Sequence, residues 1–517
     1  MEKLPQYNAA SVMVDANVAR GLGGKLAFTD GSRSLTYGQL QGATCRVANM
    51  LTDLGIGREA RVALLLHDTV DYPAVFWGAV RAGLVPVCLN TLLTTDQYAY
   101  MLADCRAQVL VVSAGLLDVV APVLDALPAL RQVIVAGGEA GGEAGAYPVL
   151  SDLMAQASDD FDTAATHPDE TAFWLYSSGS TGAPKGVRHV HTSPQYIADT
   201  YGRQVLGITP EDVCFSAAKI FFAYGFGGAM AFPMSVGATT VLLPGRPTPE
   251  AVLGVMRDHA PTIFFGVPTL YAAMLADPEC RPENASSRLR LCVSAGEALP
   301  EDLGRRWQER MGVEVLDGIG STEMLHIFLS NRPGAVRYGS SGQEIPGYRL
   351  KLVDEDGREV PDGELGELLV SGGSAGDGYW NQRAKSRATF QGEWVRTGDK
   401  YVRDADGWYT YAGRTDDMFK VSGRWVSPFE VEQALVAHEA VLEAAVVAHD
   451  AGDGLIKPRA FVVLNAGVTG DAALFEALRA HVKAEIGVWK YPRWIEAVDD
   501  LPKTATGKIQ RFRLREG

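Results

Sequence analysis

Apolar residues in the first third of the chain follow two alternating rhythms. Residues 37–54 are amphipathic, as in a helix with one covered face. The runs Arg61-Val-Ala-Leu-Leu-Leu66, Val109-Leu-Val-Val-Ser113 and Gln132-Val-Ile-Val-Ala136 are short and apolar throughout, as in buried strands. This alternation predicts a parallel sheet covered by helices. The low-complexity segment Gly137-Gly-Glu-Ala-Gly-Gly-Glu-Ala-Gly145 interrupts it and reads as a surface loop. The alternation resumes at Ala238-Thr-Thr-Val-Leu-Leu243, Thr262-Ile-Phe-Phe-Gly266 and Leu289-Arg-Leu-Cys-Val-Ser294, which predicts a second α/β unit. Beyond about residue 339 come short strands with Asp-Gly turns at Asp356-Gly357, Asp362-Gly363 and Asp406-Gly407, the mark of a β-rich subdomain. After Gly413-Arg-Thr-Asp-Asp417 helical and strand segments alternate again, so the last hundred or so residues read as a small separate α+β domain.

Composition narrows the function classes. A chain of 517 residues has room for about three to four domain-sized units. With 62 acidic and 47 basic residues its net charge is −15, and no dense Lys/Arg block is present, which argues against nucleic acid and anionic membranes as partners. Cys45, Cys88, Cys105, Cys214, Cys280 and Cys292 are scattered without a metal-ligand spacing and read as reduced, mostly buried thiols. The N-terminus lacks an apolar signal core, and the long apolar stretches are interrupted, as by Arg81; the expected location is the cytoplasm.

The densest chemical signal is Tyr176-Ser-Ser-Gly-Ser-Thr-Gly-Ala-Pro-Lys-Gly186, directly after the apolar Phe173-Trp-Leu-Tyr176. Gly179, Gly182 and Gly186 let main-chain N–H groups approach a ligand, Ser177, Ser178, Ser180 and Thr181 add hydroxyls, and Lys185 adds a cation. Such a loop suits a polyphosphate. It is not a Walker loop, because Pro184 precedes the lysine and Gly186 follows it where that motif needs Ser or Thr opening a helix.

Four further motifs follow in order: Gly318-Ile-Gly-Ser-Thr-Glu323, Thr397-Gly-Asp399, Gly413-Arg-Thr-Asp-Asp417 and Pro502-Lys-Thr-Ala-Thr-Gly-Lys508. Together with the loop they resemble the adenylate-forming superfamily of acyl- and aryl-CoA synthetases, adenylation domains and luciferases. Phe221-Phe-Ala-Tyr-Gly225, Gly320-Ser-Thr-Glu-Met-Leu-His-Ile-Phe-Leu-Ser330 and Trp489-Lys-Tyr-Pro-Arg493 resemble its benzoate and hydroxybenzoate CoA ligase branch. The resemblance implies an α/β fold: a large N-terminal domain (1–415) of two α/β subdomains plus a β-barrel-like one, and a small mobile C-terminal α+β domain (416–517). It also implies a two-step reaction in which carboxylate and ATP give an acyl-adenylate, and CoA then displaces AMP.

The same resemblance distributes roles. Lys508 would bridge carboxylate and α-phosphate, stabilising charge that develops at phosphorus. Glu323 would hold Mg²⁺ and Thr322 would donate to the α-phosphate. Asp399 and Arg414 would take the ribose hydroxyls, while Ala295, Gly296, Glu297, Asp317, Gly318 and Ile319 would line the adenine pocket; Ile319 stands where an aromatic residue is common in the superfamily. Ala223, Tyr224, Gly225, His326 and Ile327 would enclose the aromatic ring of the acid. Asp416 would be the hinge between the two half-reactions, with Lys420 and Gly423 just beyond it. ATP, Mg²⁺ and CoA are the implied cofactors, an aromatic carboxylate the implied substrate, and a homo-oligomer is compatible with this picture. Two alternatives stand beside the ligase: a stand-alone adenylation enzyme that loads a carrier protein, and a catalytically silent nucleotide sensor.

Overall fold

A computed structural model describes residues 6–139, 141–177, 183–421, 424–450, 455–503 and 509–515. The chain divides into two compact units. The first comprises Met1–Gly179, Ala183–Arg349 and Ser371–Val395; the second comprises Ser180–Gly182, Leu350–Val370 and Arg396–Gly517.

Two sheets dominate the first unit. The seven-stranded one has the spatial order Gly378–Tyr379, Lys185–Val190, Thr171–Ser177, Val85–Cys88, Arg61–Leu65, Val109–Ser113, Gln132–Ala136. Its five strands from Thr171–Ser177 onward are parallel, as the apolar runs predict, and only the edge containing Lys185–Val190 and Gly378–Tyr379 is antiparallel. One face is sealed by Leu65, Val87, Val112, Val135 and Trp174. The helix Tyr37–Asp53 starts at a capping box: Gln39 N–H donates to the Thr36 hydroxyl, and Thr36 N–H to the Gln39 side chain. The described residues of the 137–145 repeat are exposed apart from Ala144, which is fully buried and joins the core.

The second sheet has nine strands. At its centre Leu291–Ser294 lies between Ile263–Gly266 and Val315–Gly320, all parallel, and Ile327–Ser330 folds back antiparallel on the last of these. Phe264, Tyr271, Cys292, Trp307 and Met256 fill one face. All six cysteines are free and buried.

The second unit carries most of a five-stranded sheet containing Leu365–Ser371, Trp394–Arg403 and Tyr409–Arg414. Two of its turns share one design. In Asp354-Glu-Asp-Gly-Arg358 and Asp404-Ala-Asp-Gly-Trp408 the first aspartate accepts from two backbone N–H groups inside the turn, and the glycine takes φ near +80°. After these turns a three-stranded sheet of Val441–Asp450, Ile456–Leu464 and Trp494–Ala497 packs with helices Pro428–Val436 and Ala472–Ile486 around Val431, Leu435, Val446, Val462, Leu478 and Val482. Ser427 and Asp471 cap those helices.

Candidate active site

The Gly/Ser-rich segment connects two antiparallel neighbours: Tyr176 faces Gly186 and Ser177 faces Lys185 across the ladder. A hairpin connection differs from the strand-to-helix turn of a Walker loop, in agreement with Gly186 following the lysine. Ser178, Gly179, Ser180, Thr181 and Gly182 lie outside the described residues. Gly186 serves a different purpose from the one its sequence context suggests. Its φ is not in the left-handed region, and a Cβ there would stand 3.3 Å from the Trp174 ring, so close packing is what asks for glycine.

Beside this hairpin the strand Val315–Gly320 runs into Ser321-Thr322-Glu323 and a tight turn. Ser321 Oγ accepts from Met324 N–H, Leu325 adopts φ +65°, and the chain returns as Ile327–Ser330. The close return explains two glycines: a Cβ on Gly318 would lie 2.9 Å from Leu329 O, and one on Gly320 would lie 2.5 Å from His326 O. Glu323 Oε1 accepts a 2.8 Å hydrogen bond from the Tyr379 hydroxyl. Lys185 Nζ lies 3.4 Å from the same hydroxyl and 4.5 Å from the ring centre.

Ala295-Gly-Glu297 leaves the end of Leu291–Ser294, where Ser294 pairs with Asp317, so these residues and Gly318-Ile319 come off adjacent parallel strands. Crevices at such strand ends are the usual ligand sites of α/β sheets. Asp317 is buried; its carboxylate accepts from Leu299 N–H, and burial pushes its pKa well above the ordinary carboxylate range.

The residues expected around the acyl group also meet. The Tyr224 hydroxyl reaches Gly266 O at 3.0 Å and Val293 O at 2.9 Å, so its ring crosses the ends of two parallel strands. His326 Nε2 lies 3.2 Å from Tyr224 O, and the imidazole sits among the rings of Tyr201, Tyr224 and Phe232. Ala223, Gly225 and Ile327 are buried. Sequence reasoning passed over Gly227, where a Cβ would lie 2.1 Å from His326 Cδ2. Gly225 is as confined, its Cβ position being 2.0 Å from Lys219 O.

Burial lowers the His326 pKa to about 3, so the ring is neutral at pH 7 and Nε2–H donates to Tyr224 O. An unfolded histidine takes a proton near pH 6.5 and the folded one does not, so this group costs stability as pH falls from about 6.5 towards 3. His326→Gln is therefore expected to flatten the decline of melting temperature between pH 6.5 and 4.5, which differential scanning calorimetry would measure.

In the second unit Asp399 and Arg414 are partners on paired strands, with Nη1 3.0 Å from Oδ1 and 3.1 Å from Thr397 O. Lys420 is half-exposed, 3.5 Å from Glu355 and stacked over Trp425. The side chain of Asp417, next to Asp416, accepts from Arg511 and Arg515, and Arg511 is bidentate to buried Glu432. Lys508 and Gly423 lie outside the described residues; Lys503 and Ile509 form a bridge, and Gln510 N–H donates to Pro502 O.

Among the described residues no cluster of three or more His, Cys, Asp or Glu could cage a metal. Glu323 has a carboxylate oxygen beyond the one bonded to Tyr379, a hard donor of the kind a divalent cation such as Mg²⁺ takes. No helix among the described residues is long and apolar enough to cross a membrane.

Comparison with known proteins identifies the family. The description of AMP-binding enzymes matches residues 15–380, and that of the AMP-binding enzyme C-terminal domain matches 430–508. A 4-hydroxybenzoate–CoA/benzoate–CoA ligase of Rhodopseudomonas palustris is 57% identical, the match covering 99% of this chain and 94% of that one. A benzoate–CoA ligase of Thauera aromatica is 55% identical over 99% of this chain and 97% of its own. The crystal structure of a benzoate CoA ligase from Burkholderia xenovorans LB400 superposes with a TM-score of 0.91 at 49% identity, covering 98% of this chain and all of that one. The chain belongs to the AMP-binding enzyme family, in its benzoate and hydroxybenzoate CoA ligase branch.

Proposed function

We infer that this protein is an ATP-dependent, AMP-forming aryl-carboxylate CoA ligase that makes benzoyl-CoA or hydroxybenzoyl-CoA through an aryl-adenylate. The observation that carries this is the full-length likeness to benzoate and hydroxybenzoate ligases; the contact of Tyr224 with His326 beside close-packed glycines supports an acyl site there.

A carboxylate resists attack by a thiol because its leaving group would be oxide. Adenylation supplies AMP as the better leaving group. The loop from Ser177 to Lys185 cradles the triphosphate, Thr322 donates to the α-phosphate, and Ala295, Gly296, Glu297, Asp317, Gly318 and Ile319 flank the adenine. Asp399 accepts from the ribose hydroxyls while its ion pair with Arg414 orients it. A divalent cation would neutralise phosphate charge, with Glu323 as its protein ligand. Lys508 bridges carboxylate and α-phosphate in the first step, and CoA then displaces AMP. ATP and CoA are cytoplasmic metabolites, and the enzyme is assigned there.

AMP release across benzoate, 3- and 4-hydroxybenzoate, 2-aminobenzoate, cyclohexanecarboxylate and a medium-chain fatty acid, with and without CoA, tests the assignment. CoA-dependent turnover led by one aromatic acid is expected; turnover on none would sink it, and adenylate formation without CoA transfer would favour carrier loading.

The division of labour at 415/416 rests on rotation about Asp416. Asp416→Pro fixes one backbone dihedral there. It is expected to lower overall turnover by about 10²-fold or more. Rapid-quench measurement of both half-reactions checks this, and wild-type rates in both would dismiss the hinge.

A further inference from the structure

Residues 374–380 grip the stretch that carries Glu323 at three points. Ser374 Oγ donates to Met324 O at 2.8 Å, Gly376 N–H donates to Glu323 O at 2.7 Å, and the Tyr379 hydroxyl donates to Glu323 Oε1 at 2.8 Å. The same segment is fastened to the strand that leaves the phosphate loop. Tyr379 pairs with Val187, Asp377 N–H donates to Arg188 O, and Trp380 N–H donates to Gly186 O. A Cβ on Gly376 would lie 2.8 Å from Val187 Cγ1, so the contact leaves no room for a side chain.

We propose that Tyr379 is a positioning residue that presents the Glu323 carboxylate to a phosphate-bound divalent cation and ties that presentation to the phosphate-loop strand through Lys185. This rests on the reading of Glu323 as the metal ligand. A phenol has one proton to give, and an ionised carboxylate only accepts. The Tyr379 hydroxyl reaches Glu323 Oε1 at 2.8 Å and Thr389 Oγ1 at 3.4 Å; the nearer, charged acceptor takes the proton, which fixes the Glu323 rotamer and leaves Oε2 for a cation. Lys185, with Nζ 3.4 Å from the phenol oxygen and its charge over the ring, polarises the hydroxyl in the direction that strengthens this bond. A glutamate without that restraint must be ordered by the cation itself, which weakens binding. Hydrogen bonds to charged groups are the stronger ones, so the effect is expected to be sizeable.

Tyr379→Phe removes the hydroxyl and keeps the ring beneath Lys185. Electron paramagnetic resonance titration of Mn²⁺ into the full-length enzyme with ATP is expected to show binding about tenfold weaker than wild type. Half-maximal Mg²⁺ for adenylation should rise by a similar factor, while KM for benzoate moves less than twofold and melting temperature by a few degrees at most. Wild-type Mn²⁺ affinity in Tyr379→Phe would overturn the proposal. Glu323→Gln, titrated alongside, separates the two claims. Weakened binding there with none in Tyr379→Phe rejects Tyr379 alone, and unchanged binding in Glu323→Gln rejects the metal-ligand reading on which it rests.

Discussion

Lys508→Ala is expected to slow AMP formation from benzoate and ATP by at least about 10²–10³-fold. Thioester formation from supplied benzoyl-adenylate and CoA should stay within a few-fold of wild type. The asymmetry follows from charge. The first step drives a carboxylate against a triphosphate, and charge develops on oxygens that only a well-placed cation can stabilise without reorganisation. In the second step a thiol attacks a neutral carbonyl with AMP already in place as the leaving group, so a lysine serving the α-phosphate has little left to do. Benzoate-dependent exchange between pyrophosphate and ATP reads the first step, and thioester absorbance from synthetic adenylate reads the second. Equal loss in both would refute this division.

Gly227→Ala is expected to raise KM for benzoate by about 30-fold or more and to cost roughly 1–3 kcal/mol of stability. A methyl group at 227 would stand 2.1 Å from His326 Cδ2, far inside contact distance. The imidazole has no easy retreat, because Tyr201, Tyr224 and Phe232 surround it with ring centres 4.5–5.6 Å away. Something must shift, and whichever moves, the bond from His326 to Tyr224 O and the shape of the acyl wall change together. Steady-state kinetics on benzoate and calorimetry check this. An unchanged KM with a normal melting temperature would show that His326 does not shape the pocket.

The alternation of amphipathic and continuously apolar segments was enough to announce two sheets with covering helices, since period and length are local properties. The run at 61–66 became the strand Arg61–Leu65, and residues 37–54 became the helix Tyr37–Asp53. Asp-Gly pairs at 356–357 and 406–407 marked turns correctly, though Asp354 and Asp404, two positions earlier, do the capping. What sequence could not reveal depends on contacts between distant segments. Gly227 matters because of His326, ninety-nine positions later, and Tyr379 because of Glu323, fifty-six positions earlier. A faint signal for Tyr379 was present: it ends the glycine-rich stretch Gly372-Gly-Ser-Ala-Gly-Asp-Gly378, and such density of glycine in one segment often means close approach of backbone to something. Gly186, by contrast, invited a conformational explanation and has a packing one.

Every residue assigned to the acyl pocket, from Ala223 through Gly227 to Ile327, falls within one compact unit; the ribose pair Asp399–Arg414 and the segment around Asp416 fall within the other. Choice of acid is thus written apart from the ribose pair and the Asp416 segment, although the residues proposed to flank adenine and the α-phosphate share its unit. Recombination between relatives at about residue 396 could pass on a new substrate range, together with its matching adenine and phosphate contacts, while leaving the ribose pair and the Asp416 segment as they were, so such ligases can diversify by exchange as well as by point mutation.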